Sequence, residues 1–273
     1  MLSRCHPFPI IRPGACCLQK SLPSRSNRCP IMKENDPVHE AFTELAPRYE
    51  QAVDQELKTF WGWSYQDFID QLVKRINQES DSTLLDIATG TAVIPRKLAA
   101  LDNSPGQLFG LDITEAMLRR GQSQIGDLEK GSAIHLTCGD AMALPFPEGC
   151  FDIVVTGLAS HHMHIPQMLS EIKRVLKRGG TLAMIDVGSS AFWRFPIIRF
   201  FSRFFAFGFF LFTENISRAW AEAQAVSNVL TPQEWQKELE GLGFSEVDIQ
   251  PLPSKYTWLP EPLSMTTKLS KKE

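Results

Sequence analysis

Asp86, Gly90, Asp112, Asp140, His161 and His162 recur along one stretch of this 273-residue chain, each near the end of an apolar run. A carboxylate accepts hydrogen bonds from two adjacent hydroxyls, as on a ribose, and its charge strengthens them. Glycine adopts backbone conformations closed to other residues and lets a ligand approach the main chain. Imidazoles titrate near neutrality and can take a proton from a bound molecule. The chemistry on offer is the grip of a hydroxyl-rich ligand beside a site for proton removal.

The elements that must carry these residues are legible in the pattern. Residues 84–94 read Leu-Leu-Asp-Ile-Ala-Thr-Gly-Thr-Ala-Val-Ile. A strand ends at Asp86, a turn of small residues follows (Ala88, Gly90, Ala92), and a helix spans 93–101. Strand, tight turn and helix place a ligand at the strand's carboxyl end. A dinucleotide site wants three glycines in that turn; here only Gly90 is present, which suits a ligand without phosphate. The second strand, 107–111, ends in Asp112 about 20 residues further on, where a nucleoside's ribose arrives. Asp112 also suits a helix N-cap. The third strand, 135–138, leads to Asp140, which also suits a turn. The fourth, 151–156, is nearly continuously apolar (Ile153, Val154, Val155), as a strand covered on both faces should be. A helix over 165–176, stopped by Gly179 and Gly180, precedes a fifth strand at 182–187. Thr231-Pro232-Gln233-Glu234 is a capping box that starts a helix to Leu242. The last two strands come from 247–249 and either 256–258 or 263–269.

The turn Asp86-x-Ala88-x-Gly90-Thr91 resembles motif I of the class I S-adenosylmethionine-dependent methyltransferases, in the form found in the ubiquinone/menaquinone-biosynthesis C-methyltransferases. Gly110 to Leu118 and Arg174-Val175-Leu176-Lys177-Arg178-Gly179-Gly180 resemble the same family, in the same order. The resemblance implies an α/β fold with a seven-stranded, mostly parallel Rossmann-like sheet, N-terminal helices and an aromatic-rich lid inserted after the fifth strand. It implies S-adenosyl-L-methionine as cofactor, held by Asp86, Ala88, Thr89, Gly90, Asp112, Ile113, Met117, Asp140, Ala141 and Gly157. Phe42, Ala46 and Tyr49 repeat the spacing of the family's cofactor-covering segment, so Tyr49 is expected over the cofactor. The family continues with Asp-x-x-Asn, whereas this chain has Glu50-Gln51-Ala52-Val53. His162 and His161 are the candidate catalytic bases, with His162 favoured by the resemblance. No metal is expected.

Composition agrees with one soluble core: 43% apolar, 22% charged, net charge -3, with no general pull toward nucleic acid. Residues 1–32 carry five basic and no acidic residues with scattered proline, which reads as an organelle transit peptide or as an extension upstream of a start at Met32. Residues 33–80 read as a helical cap and 81–273 as the core, with the lid at 189–229. The six cysteines lack metal spacing and point to a reducing compartment, cytoplasmic or organellar. Residues 192–212 hold ten phenylalanines with Arg194, Arg199 and Arg203. A central arginine costs a spanning helix about 2.5–3.5 kcal/mol. The segment therefore reads as a peripheral membrane contact or as a buried helical hairpin.

The function expected is methyl transfer to a small lipophilic acceptor such as a quinol ring carbon. The alternatives are an amine-bearing lipid headgroup, NAD(P)-dependent oxidoreduction, or a non-catalytic subunit that keeps the pocket. The oligomeric state is not legible in the sequence.

Overall fold

The computed structural model describes residues 37–76, 81–126, 133–256 and 259–271. The extension at 1–32 lies outside them. Three helices come first: α1 (Pro37–Leu45), α2 (Tyr49–Phe60) and α3 (Tyr65–Val73), with a 3-10 turn at Ala46–Arg48 joining α1 to α2. The apolar runs then form β1 (Thr83–Ile87), β2 (Gln107–Asp112), β3 (Ile134–Cys138) and β4 (Phe151–Gly157). Between them lie α4 (Val93–Ala99) and α5 (Glu115–Ile125). β5 (Leu176–Asp186) follows α6 (Ile165–Val175). An aromatic insertion then forms α7 (Pro196–Thr213) and α8 (Ile216–Ala225), and α9 (Pro232–Gly241), β6 (Phe244–Pro251) and β7 (Leu263–Leu269) complete the chain.

The seven strands make one sheet in the order β3-β2-β1-β4-β5-β7-β6. Neighbours from β3 to β5 are parallel, and β7 runs antiparallel to both β5 and β6. The order reverses between β1 and β4, and in open α/β sheets ligands bind at such a switch point, beyond the carboxyl ends of the strands. One core, with Phe109, Phe151, Met168 and Trp235, covers one face. The other, with Phe68, Ile69, Leu98 and Val155, covers the second. Burial on both faces is why the centre of β4, Ile153 to Val155, is continuously apolar.

One expectation needs correction, and one alternative left open by the sequence is decided. The helix before β5 stops at Val175, ahead of the two glycines, because Leu176 pairs with Phe151 and the Gly149 and Cys150 amides donate to the carbonyls of Arg174 and Val175. Of the two candidates for the last strand, Leu263–Leu269 is the one that pairs with β5. Cys150 is a buried free thiol, whereas Cys138 is disulfide-bonded. The capping box at Thr231 and Glu234 forms as read.

Gly110 sets the approach of β2 to the turn after β1. A Cβ there would meet Leu136 Cδ2 at 2.8 Å and the Thr89 side chain at 2.9 Å. Gly110→Ala should therefore lower unfolding free energy by about 1–3 kcal/mol through overpacking, seen as a lower urea midpoint, and weaken S-adenosylmethionine binding measured by calorimetry.

Candidate active site

The turn after β1 is held by its own strain and by two carboxylates. Ala88, Gly90 and Ala92 all have positive φ, at 54°, 54° and 60°. For alanine this conformation costs roughly 1–2 kcal/mol, and such strain gathers at functional sites. Asp112 at the tip of β2 spans two loops: Oδ2 accepts the Gly90 amide at 2.8 Å and Oδ1 the Thr114 amide at 2.8 Å. Thr114 is the N-cap of α5, so Asp112 does not cap that helix. Asp86 accepts the Thr89 hydroxyl at 2.6 Å on Oδ2, while the buried Oδ1 has no hydrogen-bond partner among the described residues. The Gly139 amide donates to the Asp112 carbonyl at 3.0 Å, which brings the Asp140 loop alongside. One Asp140 oxygen accepts the Met142 amide at 2.8 Å, as a turn former does.

Burial dominates the acidity here. It pushes the Asp86 carboxyl up to about 8, against the Thr89 hydrogen bond. It raises Asp112 too, against the Thr114 and Gly90 amides, which favour its charged form.

Tyr49 stands directly over this turn, with its ring 3.5 Å from where a Cβ of Gly90 would lie. The ring packs edge-on to Tyr65 and tilted to Phe42. Glu50, next along α2, accepts Thr91 Oγ1 at 2.9 Å and Arg96 at 2.7 Å, clamping the helical cap onto the turn. That contact occupies the place where the family's Asp-x-x-Asn would begin. A ligand approaching Gly90 must move Tyr49.

Across Tyr49 lies a cavity of about 480 Å³ at the tips of β4 and β5, roofed by α7 and α8. Most of its wall is apolar, from residues such as Phe201, Phe205, Phe209 and Trp193. One pole is polar. His161 Nδ1 is 2.6 Å from Asp186 Oδ1, and Asp186 also takes the Ser160 and Val187 amides and the Ser160 hydroxyl. Burial alone would lower the imidazolium pKa of His161, but the Asp186 carboxylate outweighs it and the net shift is upward. His162 Nε2 is 3.4 Å from Glu222, and burial together with its cationic neighbour His161 lowers its pKa. Glu222 faces Arg218 at 3.0 Å, and Arg218 reaches Glu56 at 3.2 Å. Burial would raise Glu222, yet Arg218 and His162 hold it far below the ordinary carboxylate range. Glu56 is pushed up by burial to about 7. One ligating atom each from His161, His162 and Glu222 lies within 4.8 Å of the others, but Arg218 already supplies the positive charge that Glu222 faces.

The fold thus gathers Asp86, Thr89, Gly90, Asp112, Asp140 and Tyr49 at one end, and His161 and His162 at the other. Ala88 and Ile113 lie half-buried in the same loops, whereas Met117 and Ala141 are buried in the packing beneath. Gly157 is half-buried at the end of β4, and a Cβ there would meet Ile94, Ile185 and Ile69. Sequence reasoning missed Asp186, Glu222, Arg218 and Glu56. Asp186 carried the same signal as Asp86 and Asp112, an acid closing an apolar strand. The others become neighbours only when α8 folds over the sheet.

The adenosyl donor implied by the turn fits these residues: Asp86 Oδ1 is an unmatched buried acceptor, Gly90 bars nothing but Tyr49, and each Asp112 oxygen keeps a lone pair beyond its backbone donor.

Known proteins agree. Residues 85–184 match the family described as a methyltransferase domain. The chain is 30% identical over 232 residues to a demethylmenaquinone methyltransferase of Symbiobacterium thermophilum, covering 78% of this chain and 86% of the relative. Its fold is similar to the YcgJ protein of Bacillus subtilis (TM-score 0.60, 15% identity, 77% of this chain and all of that one). It is also similar to geranyl diphosphate C-methyltransferase of Streptomyces coelicolor, solved with S-adenosyl-L-homocysteine (TM-score 0.58, 14% identity, 75% of this chain and 77% of that one).

The buried Asp86 has a stability consequence. Its folded value of about 8 lies above the ordinary 3.8, so the folded state keeps a proton that the unfolded chain has lost. Its contribution to stability is therefore full below pH 4 and falls as pH rises toward 8. Asp86→Asn should flatten the decline of the urea midpoint between pH 5 and 8.

Proposed function

The chain belongs to the S-adenosylmethionine-dependent methyltransferase family that includes the demethylmenaquinone methyltransferases, and from that premise we propose that its acceptor is a small lipophilic molecule bearing an ionisable ring hydroxyl, such as a quinol methylated at carbon. The observation that carries this reading is the His161–Asp186 pair at the polar pole of an otherwise aromatic cavity. When bound, S-adenosylmethionine supplies an electrophilic methyl group on a sulfonium. Asp112, at the end of β2, would accept the ribose hydroxyls, and Asp140, just beyond β3, would meet the adenine, as the family resemblance implies.

The rest is done by the protein. Asp186 orients His161 through Nδ1, which leaves Nε2 as the ring nitrogen for a substrate proton. Removing a phenolic proton raises electron density at the ring carbons, where a methyl is accepted. Asp186 also stabilises the imidazolium that forms, while its own carboxyl is held low by His161 despite burial. His162 is the weaker base, because burial and His161 keep it neutral, and its Nε2 is turned to Glu222. This orders the two histidines opposite to the family resemblance. The aromatic wall excludes water from the reacting pair. An ammonium headgroup is the poorer fit, since Glu222 and Glu56 are both engaged with Arg218.

Incubation with labelled donor and either short-tailed quinols or aminophospholipids separates these acceptors by which product carries the label. His161→Gln should lower kcat by about 10²–10⁴-fold with S-adenosylmethionine affinity unchanged. Asp186→Asn removes the carboxylate that raises His161, so the rising limb of the kcat profile should move to lower pH with a lower plateau. An unmoved limb would remove His161 as the base.

A further inference from the structure

The outer side of α7 is exposed although it is almost wholly apolar. Ile197, Phe200, Phe201, Phe204 and Phe205 are 56–65% exposed and Phe212 is 91% exposed. These positions fall three or four apart, on one face of a helix about 27 Å long. Phe192 and Phe195 before it, and Ile216 and Trp220 of α8, extend the same exposed apolar surface. The buried hairpin weighed from the sequence is therefore not what forms. Two of the three arginines point the other way: Arg194 binds Glu234 at 2.5 Å and the Val229 carbonyl, and Arg199 donates to the Ser227 carbonyl at 3.3 Å. They fasten α7 to the body. Arg203 is exposed alongside the phenylalanines.

Two observations say what covers this face. First, it is continuous with the cavity. Phe201 and Phe205 line the cavity and are also more than half exposed, so a single layer of rings separates the inside from the outside. Second, its phenylalanine and isoleucine side chains offer neither donor nor acceptor, whereas a protein partner of ordinary interface size exchanges about ten hydrogen bonds. A bilayer asks for none. Phenylalanines on one side of a helix with an arginine able to reach up to phosphates is the pattern of a helix lying at the headgroup–acyl boundary.

We propose that α7 docks this face on a lipid bilayer and that the acceptor passes from the membrane into the cavity between Phe201 and Phe205. The entry route rests on the lipophilic acceptor proposed above; the docking does not. Phe200 and Phe204 belong to the exposed face but not to the cavity wall, so Phe200→Ser/Phe204→Ser tests the surface alone. The full chain should co-sediment with vesicles of phosphatidylcholine containing phosphatidylglycerol, and the double variant should partition at least tenfold less. The variant should methylate a short-tailed, water-soluble quinol at the wild-type rate yet lose at least tenfold in kcat/KM on a long-tailed quinol in vesicles. Wild type left in the supernatant, or a dimer that the substitutions dissociate, overturns the docking in favour of no partner or a second copy. Equal losses on both quinols overturn the entry route. Vesicle binding with no quinol methylated supports the docking and removes the acceptor assignment.

Discussion

Three carboxylates close β1, β2 and β5 at the same edge of the sheet, and all three are buried. A buried ion is tolerated only where neighbouring groups replace water. Asp112 does this by reaching across to Gly90 and forward to Thr114. Asp186 does it with two amides, a serine hydroxyl and an imidazole. In both cases satisfying the charge also fixes the loop that must face a ligand. Asp86 has a single hydroxyl partner, and its carboxyl is correspondingly pushed toward the protonated form. The site is thus the place where the sheet's buried charge is balanced.

Tyr49 couples the two ends. Its ring closes the Gly90 turn on one side and forms part of the aromatic cavity on the other. The helices that carry it are fastened to both halves. Glu50 grips Thr91 and Arg96, while Arg48 pairs with Glu214, Glu44 with Asn215 and Glu40 with Ser217 at the start of α8. The N-terminal helices and the α7–α8 insertion are therefore one polar-latched roof over the Gly90 turn and the cavity. Arg218 sits at its centre, between Glu56 and Glu222 and against the faces of Phe42 and Phe210. Removing a partner there would strand a buried charge, a strongly destabilising change.

The pole and the wall of the cavity divide the work on an amphiphile. On the proposed reading, a ring with a titrating hydroxyl would meet His161, and its tail would run along the phenylalanines of α7. The apolar run of α7 carries both the inner wall and the exposed face, which is why one helix can serve chemistry on one side and location on the other.

Most of the sheet and the cofactor end were legible from residue order. Parallel strands covered on both faces read as apolar runs, and the acids and glycine that end them stand out locally, as Asp86, Gly90, Asp112 and Asp140 did. The start of β5 was not legible, because Leu176 becomes strand only through its pairing with Phe151, and a glycine pair after a helix reads as its stop. Nor could adjacent His161 and His162 be ranked on their own: in a 3-10 turn no periodicity says which ring meets Asp186 and which meets Glu222. The α7 sequence shows arginines on one side and phenylalanines around much of the rest, but a helix apolar on two faces does not encode which one is covered. That choice was made by contacts distant in sequence, among them Ser227, Val229 and Glu234, which draw Arg194 and Arg199 inward and leave the other rings facing out.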